Sequence, residues 1–405
     1  MAIATPNNLP GPLQVIGFSK ILRYLSLTED IFTVLSENYN TKKKTVPNAI
    51  YMTVDGLEST SHTHRLPMVM PLSGAPTYGN VQSQVSREEN IITKYNTIYK
   101  NDYSHAVVNQ MFGIDAQDKR FYNIIEQEMP LLGTYFKELK GVHIRQALLE
   151  RYSENLTTAS PTNAVIASEW SPNFYIKNLL DSQQPVFSPN NTTYTNRIGT
   201  ALTTAGTGVN TICDFNYLMA LEHYASYSKR IQPLMIGGKQ KYVVLIPANQ
   251  ARFLKDPSLV GSFGSIWTQY NRMNNEAMNW PNILGEMGSL ILIEDPRAPT
   301  LTIGGTSAPF TLTAGYLYPG NSDRRDTSVE ARDVGFLIGK GALVDWTAES
   351  VHYETEDALT YGKFRGKGGF GTNGCQQAQY DVVNNNAREQ FTSIALVFGR
   401  QTSVS

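Results

Sequence analysis

A chain of 405 residues is too long for a minimal domain and can bury one large elaborated core or two to three lobes. Charged residues make up only 17% of it, against the roughly 25% usual for soluble proteins, so Asn, Thr, Ser, Gln and Tyr must supply much of the surface polarity, as suits surfaces that meet other protein surfaces. With 34 basic and 35 acidic side chains the formal net charge is −1, which excludes the sequence-wide basic excess of a protein that condenses nucleic acid by itself; any DNA contact must be local.

In chain order, Pro6, Pro10, Gly11 and Pro12 break residues 1–19 into an extended arm that needs a neighbour to hold it. The opening residues lack a basic region followed by an apolar core, and no apolar stretch approaches a membrane span, so a soluble, unsecreted chain is expected. From Lys20 to Asn38 the apolar set Ile21, Leu22, Leu25, Ile31, Phe32 and Leu35 recurs near helical spacing, with Thr28 as a cap for a second helical stretch. Residues 46–110 turn β-rich, with runs at Ala49–Val54, Leu66–Met70 and Asn90–Tyr99 between Gly and Pro turns, and read as a long hairpin. Asp115 to Tyr152 is helical, with Phe121, Ile125, Leu132, Phe136 and Leu139 on one face and a kink at Pro130 and Gly133. Residues 153–212 have no clear period and read as loops around short elements.

A helix over Asp214–Arg230 follows, with Gly237-Gly238 as its stop, then a strand Lys241–Ile246, a helix after Pro247, an amphipathic segment Ser262–Met278 and a strand Ser289–Ile293. Helices alternating with buried strands predict an α/β lobe. Beyond Leu301 the runs Thr311–Tyr318, Val334–Trp346 and Phe391–Val397 are β-like, and the glycine-rich stretch Gly362–Gly374 reads as a flexible loop between them. Cys213 and Cys375 are too few and too far apart for a disulfide framework and are expected as free buried thiols.

No catalytic, cofactor-binding or metal residues emerge. Gly366 to Gly371 satisfies G-x-G-x-x-G, but outside the strand-to-helix turn that a dinucleotide needs. Gly335 to Lys340 is one residue short of a P-loop, and Gly341 replaces the hydroxyl residue that would hold magnesium, so a buried strand is expected. Gly305 to Pro309 lacks the second glycine of a nucleophile elbow. His62 and His64 would share a strand face without further ligands nearby, while His105, His143, His223 and His352 are isolated. Glu88-Glu89 and Glu349, Glu354, Glu356 and Asp357 read as solvated carboxylates; Lys42 to Lys44 and Lys363 to Lys367 are basic clusters that suit a solvated loop or an acidic neighbour better than DNA.

The order of arm, long two-stranded loop, long helix, α/β lobe and returning strands resembles a capsid subunit of tailed phages. Specific stretches resemble the enquatrovirus-type major capsid family: Pro71-Leu72-Ser73-Gly74, Gly79-Asn80, Arg87-Glu88-Glu89, Tyr103 to Val107, Lys241 to Pro247 with Gln250 and Leu254, Asn282 to Gly285, and Gly335 to Leu343. Residues 372–390 depart from that pattern. The resemblance implies an α+β chain with the Hong Kong 97-type capsid fold: an N-terminal arm over 1–45, an extension loop with flanking strands over 46–110, a peripheral domain with a spine helix over 111–212, an axial domain over 213–345, and strands returning to the peripheral domain over 346–405.

The function it implies is self-assembly into hexamers and pentamers of an icosahedral virion shell around double-stranded DNA, built in the host cytoplasm. The implied partners are further copies of itself, a portal protein, a separate scaffolding protein, a decoration or cement protein and weakly held DNA, with no membrane, no cofactor and no enzymatic activity. An encapsulin-like or other shell-forming protein is the alternative, and an α/β enzyme a more distant one. Some capsids of this fold join an extension-loop lysine to a neighbour's asparagine, but this chain has no lysine between Lys44 and Lys94, which predicts a non-covalent shell.

Overall fold

The computed structural model describes residues 31–38, 48–55, 63–69, 93–99, 101–110, 120–149, 186–187, 213–255, 282–303, 310–312, 331–359, 364–377 and 392–399. Up to residue 187 the elements are α1 (Ile31–Val34), β1 (Ser36–Asn38), β2 (Tyr51–Asp55), β3 (Thr63–Val69), β4 (Thr93–Tyr99), β5 (Asn101–Gln110), α2 (Arg120–Leu149) and β6 (Val186–Phe187). After residue 213 come α3 (Phe215–His223), β7 (Leu234–Ile236), β8 (Lys239–Pro247), α4 (Ala248–Lys255), β9 (Ile283–Met287), β10 (Leu290–Asp295), β11 (Thr300–Ile303) and β12 (Phe310–Leu312). The last four are β13 (Ala331–Ile338), β14 (Leu343–Leu359), β15 (Phe364–Gln377) and β16 (Ser393–Gly399).

Strand alternation sorts the core of the larger sheet onto two faces. Val243, Leu245, Ile291, Ile293, Val334 and Phe336 point to one face, where Val142, Ile144 and Leu148 of α2 meet them. Val244, Ile246, Leu290, Leu292, Leu396 and Phe398 point to the other, under Tyr217, Leu218 and Leu221 of α3 and Leu254 of α4. Both faces are covered, which is why these strands read as unbroken apolar runs. Each such side chain contributes roughly 1.5–3 kcal/mol by leaving water. The described strands run β12-β11-β13-β8-β10-β9, with β16 also on β13, β6 on β16 and β7 on β8. β8 and β10 are parallel, with Tyr242 opposite Leu290, while β13 is antiparallel to both β8 and β16.

A second sheet has the order β1-β2-β14-β15-β5. The first half of α2 lies on it, with Leu132 and Phe136 against Tyr353. The long helix thus serves both sheets, and its observed face matches the periodicity at Leu132, Phe136 and Leu139; the side chains of Phe121 and Ile125 lie outside the described residues. Pro130 stands inside the helix, its carbonyl accepting a hydrogen bond of 2.9 Å from the Thr134 hydroxyl. Among the described residues β3 and β4 pair only with each other, Thr63 opposite Tyr99, as the expected two-stranded hairpin.

Four readings change. The glycine-rich stretch is not a loop: residues 364–377 form β15, hydrogen-bonded to β14 on one side and β5 on the other. The glycines make room there, since a methyl group on Gly371 would lie 2.5 Å from the Tyr103 hydroxyl. Val334–Trp346 is two strands in two sheets, broken where Gly341 adopts φ +64°. Gly237-Gly238 stops no helix; with φ of +56° and +75° it is the two-residue turn joining β7 to β8. The helix ends earlier, α3 passing into a π-helical turn at Tyr224–Ser228 before Arg230 reverses the chain at φ +51°. Of the last three strands, β14 and β15 enter the smaller sheet and β16 joins the larger one. The segment Ser262–Met278 and the arm before Ile31 lie outside the described residues.

Candidate functional site

Several of the described polar contacts gather where the two sheets and α2 meet. The connector from β13 to β14 hydrogen-bonds three separate segments: Gly339 N–H donates to Thr392 O, Lys340 N–H to Gln232 O and Gly341 N–H to Ala49 O, at 2.8, 2.9 and 2.6 Å. Leu343 N–H donates to Ile50 O at 3.0 Å, so β2 enters beside β14 as soon as the chain leaves the larger sheet. The Asn48 amide then clamps Met235, donating to its carbonyl and accepting from its N–H at 2.8 Å each.

Two ion pairs fix α2 to this frame. Arg145 forms a bidentate pair with Asp295 at the end of β10, Nε and Nη2 donating at 2.8 and 2.7 Å, and its Nη1 donates to Gly141 O at 2.9 Å. Both side chains are 2% exposed. Such a pair is held by geometry, since its Coulomb attraction must offset the desolvation of two ions. Lys140 reaches Asp345 of β14 at 3.2 Å, and the buried Asp345 carboxylate raises the hydroxyl of Tyr51 beyond what burial alone does. A third network closes the β9–β10 turn: Glu222 of α3 accepts from Ser289 N–H and Oγ at 2.9 and 2.6 Å, while Lys241 donates to Gly288 O at 2.6 Å and pairs with Glu286. Asp333 accepts from Asn249 at 2.9 Å and Gln250 at 3.3 Å at the start of α4.

These contacts fasten the described elements to one another. The P-loop-like segment is a buried strand, and every N–H from Gly339 to Gly341 is spent on the chain's own carbonyls, leaving none to cradle a phosphate. The G-x-G-x-x-G segment is strand β15, paired on both sides. Cys213 and Cys375 are buried and free, and burial pushes both thiols up, away from nucleophilic thiolate. His143 is buried against the Tyr103 ring, and burial, helped by Lys140, lowers it to about 3. His105 stacks on Tyr135 at 3.9 Å, His223 on Tyr227 at 5.2 Å, and His352 faces Phe370 across the strand pair. Among the described residues no three His, Cys, Asp or Glu side chains cluster as metal ligands. His64 lies in β3 opposite Ile98. Glu349, Glu354, Glu356 and Asp357 lie along β14, and Arg365 and Lys367 on the neighbouring β15. His62, Lys42–Lys44, Lys363, Glu88-Glu89 and Gly305–Pro309 lie outside the described residues.

The sequence reading missed every one of the fastening pairs. Arg145 and Asp295 are 150 residues apart, and nothing local in the sequence marks either as buried.

No protein-family model matches the chain. No curated protein matches it either. Solved structures do. The head structure of Helicobacter pylori bacteriophage KHP40 superposes with TM-score 0.57 at 12% identity, covering 99% of this chain and 95% of that one. The capsid of Ralstonia phage GP4 gives 0.55 at 14% identity with 94% of each chain covered, and the cyanophage Pam1 capsid 0.55 at 16% with 92% of each covered. The mixed α and β architecture described above is therefore, from one end to the other, the fold of bacteriophage capsid chains.

Proposed function

We propose that this chain is the major capsid protein of a tailed bacteriophage, with the Hong Kong 97-type fold, and that it assembles as hexamers and pentamers of an icosahedral shell enclosing double-stranded DNA. The observation that carries this reading is the end-to-end structural match to phage capsid chains, with 94% of both chains covered in one case. A match over the whole length supports this reading more strongly than a match over one lobe would. The buried fastenings agree with the role, because a subunit that transmits load between neighbours needs its two sheets and long helix held in one geometry. In this reading β3 and β4 belong to the extension loop, α2 is the spine, the smaller sheet belongs to the peripheral domain and the larger sheet to the axial domain. Two strands alone are marginal in water; β4 is anchored on its own subunit through the buried Ile98, and in this reading the hairpin gains further stability from a neighbouring copy.

Portal, scaffolding and cement proteins are the partners this role calls for, and the assembled product is the virion. Electron microscopy of the purified chain, alone and co-expressed with a scaffolding protein, tests the proposal. Closed shells built on hexamers and pentamers are expected. A chain that stays monomeric under both conditions, or shells that never take up DNA in a packaging host, would overturn it in favour of an encapsulin-like compartment or another role.

A further inference from the structure

We propose that the outer edge of β5 is an interaction surface, and that it pairs antiparallel with β5 of a second copy of this chain; the presence of that copy rests on the shell reading above.

A strand at the edge of a sheet offers a row of unpaired N–H and C=O groups, and folded proteins blunt such edges by shortness, bulges, proline, lysine or a covering group. The other described edge strands carry one of these devices. β1 and β12 are three residues long, and β6, which lies on β16, is two. β9 slips in register against β10 at Leu292 and Ile293. β7 has the N–H and carbonyl of Met235 both taken by the Asn48 amide at 2.8 Å. β3 holds Arg65 and Pro67, and β4 holds Lys94.

β5 has none of them. It runs ten residues, Asn101–Gln110, without lysine, arginine or proline, and its pairing with β15 is unbroken over that length. Among the described residues nothing pairs with its other side. The strand is also held in place beforehand. Tyr103 and Val107 pack with Leu132 and Phe136 on the α2 side, and His105 stacks on Tyr135 at 3.9 Å. Ordering it for a partner therefore costs little. Ser104 and Ala106 alternate to the other face, where they are exposed and small, so a neighbouring strand can approach without meeting a bulky side chain.

A second copy fits this edge. A two-fold axis lets one surface serve both partners. Residues directly opposite in such a pair share a face, and a register centred on His105 meets that rule, setting Ser104 opposite Ala106 and Tyr103 opposite Val107. The one charged residue of the strand, Asp102, then lies opposite Val108 and not its own copy, so no like charges meet. Burial lowers the pKa of His105, so the two imidazoles at the centre are neutral near pH 7.

The test mixes full-length Ser104→Cys chains with full-length Ala106→Cys chains, assembles them and applies a mild oxidant. Directly opposed Cβ atoms lie about 4.5–5.5 Å apart, close enough for a disulfide after small adjustment, and the native Cys213 and Cys375 are buried. A dimer is expected on a non-reducing gel from the mixture and from neither variant alone. Shells that form without that dimer overturn the pairing and leave the shell reading standing. Dimers from a mixture that never closes into shells uphold the pairing and count against the capsid role. Ser104→Lys with Ala106→Lys sets like charges opposite one another across the pair, so an unchanged urea midpoint and about a tenfold drop in shell yield are expected. Wild-type yield overturns the proposal, and if the lysine variant does not fold, the cysteine mixture decides alone. Loss of shells in the lysine variant with no dimer in the cysteine mixture means that a different segment or partner takes the edge, which also overturns it.

Discussion

Asp295→Ala isolates the buried pair that holds α2 to the larger sheet. In the wild type the Arg145 guanidinium, 2% exposed, has two donors on Asp295 and one on Gly141 O. Removing the carboxylate leaves that cation buried without its counter-charge, and breaking one partner of a buried pair costs about 3–5 kcal/mol. Against a total stability of roughly 5–15 kcal/mol for a domain, that is a large share. The double variant Arg145→Met, Asp295→Leu removes both charges at similar volume and is expected to recover most of the loss. Urea unfolding of the dissociated subunit, followed through the fully buried Trp346, reads both variants. If Asp295→Ala lies within about 1 kcal/mol of wild type, below the range for a broken buried pair, the pair is not a fastening and the argument for α2 as a fixed spine fails. If the double variant is as damaged as the single, the loss is one of shape and not of an unpaired charge.

Gly335→Ala places a methyl group 2.4 Å from the Leu245 carbonyl oxygen, backbone that cannot move aside, so insoluble expression is expected, and soluble wild-type yield would contradict the packing. Deleting residues 60–85 removes all of β3; a folded subunit with no shells is expected by electron microscopy, and normal shells would refute the role given to the hairpin. For His143, lowered in the fold to about 3 from 6.5, the unfolded chain binds the extra proton between those values, so stability is full above about pH 6.5 and falls as pH drops toward 3. His143→Phe should flatten that limb of a pH series of urea midpoints, and an unchanged limb would remove His143 as its source. Boiling particles in reducing detergent should release one band near 45.0 kDa, whereas a covalent ladder would refute the non-covalent shell.

What could be read without coordinates followed the strength of local patterning. Leu132, Phe136 and Leu139 repeat at helical spacing, and α2 runs through them. The unbroken apolar run in Lys241–Ile246 lies in β8, with neighbours covering both faces. β15 was illegible for the opposite reason: its glycines carry no local preference for a strand, and only pairing with β14 and β5 over long sequence separations makes it one. The passage from β13 to β14 hid inside one apolar run, since hydrophobicity reports burial and not which sheet does the burying. The fastening pairs were invisible because electrostatic partners 150 residues apart leave no periodicity.

The pairing of distant strands sets a timetable for synthesis. Tyr51 of β2 has its second strand partner, beyond β1, at Leu343, and Asn101 of β5 has its partner at Asn373. At about 5–20 residues per second the ribosome needs roughly 15–60 s to supply those partners. Through that interval β2, β5 and the apolar face of α2 wait without the sheet that shields them. High contact order also slows the closure once all parts are present. The nascent chain is thus a client for chaperones, and its yield in a foreign host should depend on translation rate and temperature more steeply than the stability of the finished subunit would suggest.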